Sequence, residues 1–512
     1  MNDSPTDLDA TGLDTLGTTG RSPAPQRVEQ DHTARNFRVI WLMLAATFVV
    51  ILNETIMGVA LRELMLDLNV DARAAQWLTT AFLLTMAIVI PITGFLLQRF
   101  HTRPIFITAM SLFSAGTLLA ALAPNFEVLL GARVVQASGT AIMIPLLMTT
   151  IMTLVPVAQR GRTMGNVSIV ISVAPAIGPT VSGIILNALS WRWMFWIVLP
   201  IALVMLVIGI RRVENVTEPE RVPLDVTSVI LSAFGFGGLI YGLSRIGESG
   251  PEDATAAEQA SAAMPMVIAL VVGALGLGLF VWRQLRLQRR DRALLDLRTF
   301  RSSNFSASIA VMVVSMAALF GTIILLPIFM QQVLGLEPVQ AGLLLLPGGL
   351  LMGLLAPFVG RLYDRFGPKP LVIPGSIIVS AALWGFAMVN ESTSPYYLLG
   401  AHLLLSLGLA TLFTPLFTSA LGSVNPHLYA HASATVGTVQ QVAGAAGTAL
   451  FVTIMSTMSA TLSSEGASGA VAAAGGIQTA FVGGALISML AIVGALFVRK
   501  PADAPVGMPP AH

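Results

Sequence analysis

The sequence predicts an all-α integral membrane protein with 14 transmembrane helices, and three observations predict it. Hydrophobic residues make up 55% of its 512 residues and charged residues 11%, whereas a soluble domain carries about 25% charge. So little charge does not cover a water-soluble surface of this size. The apolar residues are collected into fourteen runs, each long enough for a helix of about 20 residues to cross about 30 Å of hydrocarbon. The basic residues fall between alternate runs.

Taken in order, residues 1–36 are rich in Ser, Thr, Asp, Gly and Pro, lack an apolar core, and are expected to be a disordered cytoplasmic tail. The first seven spans are expected near 39–61, 75–97, 104–123, 127–154, 164–189, 193–210 and 226–244. The second seven are expected near 264–282, 305–330, 340–359, 370–389, 396–422, 430–459 and 477–498. Residues 499–512 form a second short tail. With the amino end in the cytoplasm, 23 of the 28 basic residues fall on the inside, four fall outside, and Arg133 lies within a span. An odd number of spans destroys this bias, so both ends are expected inside, in a bacterial inner membrane. The long basic segment Arg283 to Arg301 is expected to be an amphipathic helix lying on anionic lipid.

Several classes are excluded at this stage. A net charge of +2, with basic residues scattered between apolar runs, gives no nucleic-acid footprint. No cysteine is present, and His101, His402, His427 and His431 lie on different segments, so no metal site is expected. No phosphate loop of the form G-x-x-x-x-G-K-[ST] occurs, which excludes ATP as fuel. No organic cofactor and no enzymatic activity are expected.

A charge in the hydrocarbon is costly and marks function by default. Of 26 acidic residues, six lie in the amino tail and nineteen in loops, at helix ends or in the carboxyl tail; Glu54 alone is deep in an apolar run. It lies seven residues before Leu61, about 10 Å in at 1.5 Å per residue. Arg133 lies six residues into its span from the same side, about 9 Å by the same rise. Two readings stay open: a proton-exchanging carboxylate tuned by an arginine, or a static buried salt bridge. Gln136, one turn from Arg133, suits either the transport path or an interhelical hydrogen bond. His402, in apolar surroundings, suits a transport role or a bond to a backbone carbonyl.

Several segments resemble one family. On the fifth span, Ala174-Pro-Ala-Ile-Gly178-Pro179-Thr-Val-Ser182-Gly183 is similar to the antiporter signature G-x-x-x-G-P-x-x-G-G, followed by Trp191-Arg-Trp193-Met-Phe195. On the fourth, Leu129-x-x-x-Arg133-x-x-Gln136-x-x-Gly139 is similar to an arginine motif. Gly360-Arg-Leu-Tyr-Asp364-Arg365-Phe-Gly367-Pro-Lys369 is similar to a cytoplasmic loop G-x-L-x-D-R-x-G-x-K. Over roughly 37–498 the chain resembles the major facilitator superfamily, in its fourteen-helix drug:proton antiporter branch. It departs in the first copy of the loop, which has Gln98 where the family has aspartate, and at Asn53-Glu54, where the branch reads L-D-x-T-I.

The resemblance implies two six-helix bundles (37–213 and 305–498) that rock about a central cavity. Between them it implies an inserted helix pair and linker at 214–304. Glu54 and Arg133 are the proton-coupling candidates by isolation and depth, and the resemblance makes their helices neighbours. Asn53, Gln136, His402, Gln440 and Gln441 line the cavity, and Gly360, Asp364, Arg365 and Gly367 form a gating loop. Pro175, Gly178, Pro179 and Gly183 form the antiporter helix motif. The row Ala174, Gly178, Ser182 is expected to admit a helix of the other bundle. The implied partners are lipophilic small molecules, protons and the lipid bilayer, and a monomer is expected to suffice. Export of amphipathic drugs is the leading expectation, and dedicated export of one endogenous lipid, siderophore or self-made antibiotic is the alternative.

Overall fold

In the computed structural model the described residues are 26–70, 72–216, 219, 223–246 and 256–501; the side chains of 26–35 and of a few others within helices, Pro179 among them, are not described. They form fourteen helices long and apolar enough to cross a membrane. These are α1 (Gln26–Asp67), α2 (Ala72–Arg99), α3 (Thr102–Ala121), α4 (Phe126–Leu154), α5 (Arg160–Ala188), α6 (Arg192–Arg212) and α7 (Val226–Ser244). The second seven are α8 (Ala256–Leu287), α9 (Ser303–Ile328), α10 (Pro338–Phe366), α11 (Lys369–Phe386), α12 (Pro395–Gly422), α13 (Tyr429–Ser464) and α14 (Gly469–Ala495). No strand occurs among the described residues.

Helices α1–α6 pack on one another, as do α9–α14, giving two six-helix bundles. The bundles meet along two seams, α5 with α10 and α2 with α13. The inserted α7 and α8 pack on each other, and α7 also lies on both α2 and α13. An even number of spans brings the start of α1 and the end of α14 to one side, called here the terminal face. There Asn304, at the start of α9, donates to the Arg499 carbonyl at 2.9 Å and accepts from the Arg499 amide at 2.7 Å.

The bundle boundaries follow local chemistry. Asn125 caps α4 by accepting from the Val128 amide at 3.0 Å, and Ser302 caps α9 by accepting from Phe305 at 3.2 Å, each satisfying one orphan donor of a helix start. At the opposite face, Asp67 accepts from the Trp191 indole at 2.9 Å and from Arg192 at 2.7 Å. Arg192 also donates to the Ala123 carbonyl at 3.1 Å. One aspartate thus ties the end of α1 to the start of α6 and the α3–α4 turn. These hydrogen bonds, the indole's foremost, hold the Asp67 carboxyl below its usual range.

Four expectations are corrected. Helix α1 begins at Gln26, so 26–36 is helical and not an irregular tail. Those residues contain neither Gly nor Pro, and extending an existing helix is cheap once it is nucleated. Residues 1–25 and 502–512 lie outside the described residues. Helix α14 begins at Gly469, eight residues before the expected start. That turn is alanine-rich, so it is a strong helix former with little hydropathy.

The basic segment after α8 is not a lipid-facing helix. It turns at Asp291 (φ 51°) and runs as an irregular strap over 291–301, with a 3₁₀ turn at Leu297–Arg301. Leu294 and Leu295 are buried, 2% and 4% exposed, so their burial outweighs helix periodicity. Buried backbone N–H groups need partners, and the Gln284 side chain accepts from the Leu294 and Leu295 amides at 2.8 and 3.3 Å.

The small row of α5 faces its own bundle. A Cβ on Gly178 would lie 2.2 Å from Thr55 Oγ1 on α1, and Ser182 donates to the Met194 sulfur on α6. The face of α5 that meets α10 is Gly161, Gly165, Val173 and Ala176. Spacing fixes which residues share a face of a helix; it does not say which neighbour lies there.

Candidate functional site

Among the described residues, the only acid deep in a span and the only arginine there lie in one bundle, on α1 and α4, which pack together. Arg133 is 1% exposed. Its Nη1 donates to Gln136 Oε1 at 2.6 Å, and Gln136 Nε2 donates to Thr117 Oγ1 on α3 at 2.8 Å. The guanidinium carbon lies 4.1 Å from the ring centroid of Phe82 on α2. Close packing supports this relay: a Cβ on Gly116 would come 2.5 Å from the Gln136 amide nitrogen. Three helices thus fix the arginine with a neutral amide and an aromatic face.

Glu54 is half-buried, with no salt bridge to Arg133. A static ion pair is therefore not what holds α1 to α4. Arg133 Nε is buried without a hydrogen-bond partner, as are both polar atoms of the Asn53 amide. Asn53 and Gln136 are fully buried, so neither lines an open path in this conformation.

The α5 motif reaches the same place. Thr55, next to Glu54, donates to the Leu52 carbonyl at 3.0 Å and reaches the Ala174 carbonyl at 3.5 Å. Gly178 leaves room for it. Helix α5 runs unbroken through Pro175, and nothing lies within 4 Å of a Cβ placed on Gly183. Pro179 falls among the residues whose side chains are not described.

Elsewhere the expected residues separate by role. His402 is bonded through Nε2 to the Leu345 carbonyl at 3.3 Å, and its ring fills the space left by Gly348; it knits α10 to α12. Gln440 and Gln441 are half-exposed on α13. Asp364 spans the seam: its two oxygens accept from the Gly161 and Arg162 amides at 2.7 and 2.8 Å. Those amides open α5, where unpaired donors and the helix dipole favour an anion. A Cβ on Gly360 would lie 2.2 Å from the Gly161 carbonyl. Gly367 ends α10 at φ 78°, a left-handed conformation that suits glycine. Arg365 is exposed over Phe366.

Three further hydrogen bonds close the terminal face. Thr149 donates to Ser433 at 3.1 Å, Thr414 to Ser168 at 2.8 Å, and Gln98 to the His427 carbonyl at 3.5 Å. Beside them lies a cavity of about 420 Å³ lined by Gln98, Thr149, Arg160, His427 and Tyr429. Thr117, Phe82, Thr55 and Gly161 gave no sequence signal, because Thr, Phe and Gly are common in apolar helices. Among the described residues no three His, Asp or Glu side chains are grouped as a metal site needs.

This architecture has relatives of known kind. The chain is 41% identical over 471 residues to the lincomycin resistance protein LmrB of Listeria monocytogenes, covering 91% of this chain and 97% of that protein. It is 29% identical to a multidrug resistance protein B homolog of Mycobacterium tuberculosis over 82% of this chain and 76% of that one. The solved proton:xylose symporter XylE shares the fold, with a TM-score of 0.62 at 16% identity, covering 92% of this chain and 97% of that one. The family model of the Major Facilitator Superfamily matches residues 43–448. The chain is a multi-pass membrane transporter that belongs to the Major Facilitator Superfamily.

Proposed function

We propose that this transporter is a proton-coupled exporter of amphipathic, lipophilic small molecules, working as a monomer by alternating access. Both chain ends lie in the cytoplasm of a bacterium and the helices cross its inner membrane. The observation that carries the reading is Glu54 beside Arg133 without a salt bridge. An arginine clamped by a carboxylate gives a fixed pair, whereas one held by Gln136 and Phe82 leaves the carboxyl free to gain and lose a proton. When the site faces outside, Glu54 takes a proton; when it faces inside, the proton leaves and cargo binds. Export is supported by relatives named for lincomycin and multidrug resistance.

The test is Glu54→Gln, which keeps size and hydrogen bonding but cannot cycle a proton. The variant reaches the membrane and binds cargo, yet does not drive it against a gradient in proteoliposomes under an imposed pH difference. Glu54→Asp retains some transport with a shifted pH optimum. Wild-type uphill transport by well-folded Glu54→Gln removes Glu54 from the mechanism.

A further inference from the structure

The two seams between the bundles are counterparts in the sequence. Gly94-Phe-Leu-Leu-Gln98-Arg99-Phe100 closes α2 as Gly360-Arg-Leu-Tyr-Asp364-Arg365-Phe366 closes α10. Their chemistry differs. At the α5–α10 seam the Asp364 carboxylate takes two amides at the start of α5, and charge-assisted bonds of this kind are roughly twice as strong as neutral ones. At the α2–α13 seam stands Gln98, whose amide donates one long bond to the His427 carbonyl at 3.5 Å. By its latch residue alone, the second seam is the weaker one.

The inserted pair sits on that seam. Ala87 and Phe95 of α2, Ala434 of α13, Phe236 and Ile240 of α7, Phe280 of α8, and Leu294 and Leu295 of the strap form one buried apolar cluster. The cluster therefore takes side chains from both bundles. A Cβ on Gly94 would lie 3.1 Å from His431 Nδ1 on α13 and 3.4 Å from the Leu294 carbonyl; α2, α13 and the strap converge there. The strap is held in turn by Gln284, which donates to Ser228 on α7 at 2.7 Å while accepting the strap's amides.

We propose that the inserted pair and the strap are the latch of the α2–α13 seam, holding it with buried apolar surface where Asp364 holds the other seam with charge. Parting α2 from α13 at the terminal face splits the cluster and exposes Leu294 and Leu295 to water, which opposes opening. The inference rests on the reading that the bundles part at this face; it needs neither a proton nor a particular cargo.

The chain contains no cysteine, so a single introduced thiol reports opening. Ser433, 2% exposed and bonded across to Thr149, is shielded while the seam is closed. In nanodiscs, maleimide labels Ser433→Cys at a rate set by the population of the open form. The pair Leu294→Ala and Leu295→Ala raises that rate about tenfold. Gln284→Leu frees the strap without hollowing the cluster and raises the rate in the same direction, so a poorly folded alanine variant still leaves the latch tested. Unchanged labelling in the loosened variants overturns the proposal. Asp364→Asn is the control for the underlying reading: if it leaves both Ser433→Cys and Ser168→Cys as slow as in the parent, the bundles do not part at this face.

Discussion

At the scale of single residues, Glu54 and Arg133 lie on packed helices without a salt bridge between them. Gln136 takes one of the guanidinium donors with its carbonyl oxygen, and the Phe82 ring covers the guanidinium face. Gln136→Glu puts a permanent anion against Arg133 and screens it from Glu54. Expression is retained, since the buried charge stays paired, but proton-driven transport falls about tenfold, the effect of about 1.4 kcal/mol. The check is the rate of cargo uptake into inverted vesicles over a pH series, where the variant also loses the wild-type pH optimum. Glu54 and Arg133 stood out in the sequence because a charge within an apolar run is conspicuous. Thr117 and Phe82, which complete the arginine's setting, were hidden because they look like their neighbours.

At the scale of elements, α7 and α8 are joined by Asp225 and Arg283, with two hydrogen bonds of 2.6 and 2.7 Å. Asp225 also caps α7 by accepting from the Ser228 amide at 3.1 Å. Arg283 above all, helped by Ser228, pulls the Asp225 carboxyl down to about 2. A carboxyl lowered in the folded state stabilises fully above its unfolded value, and that stability is lost as the pH falls through the folded value. Asp225→Asn keeps a capping oxygen and loses the ion pair. Its melting temperature therefore lies below wild type by a constant margin above about pH 5, and the margin narrows as pH falls toward 2. Thermal melts in detergent at stepped pH check this. The strap beside this pair was misread from sequence for a related reason. Leu294 and Leu295 look like one face of a surface helix, and only the apolar cleft between α2, α7 and α13 makes them interior.

At the scale of the whole molecule, fourteen long apolar runs and alternating basic loops made the fold legible, because hydrocarbon thickness and charge placement are read from sequence without packing. Orientation has a direct test. Ser303→Cys, exposed at the start of α9, is expected to resist an impermeant thiol reagent added to intact cells, whereas Ser463→Cys, exposed near the end of α13, reacts. The opposite pattern reverses the topology. The seams were less legible, because α10 could have met either face of α5. The face it does meet carries a mechanical consequence. Gly161, Gly165, Val173 and Ala176 face Gly360, Ala356, Gly353 and Gly349, and among these contacts larger side chains, those of Tyr363 and Asp364, meet α5 only at Gly161, at the terminal end of the joint. Interlocked side chains must change rotamer before two helices slide, and each such step adds to the activation barrier. Away from the Asp364 clasp at its terminal end, a joint of backbone and small side chains behaves like a smooth bearing: once that clasp is released, its surfaces travel past each other with little friction.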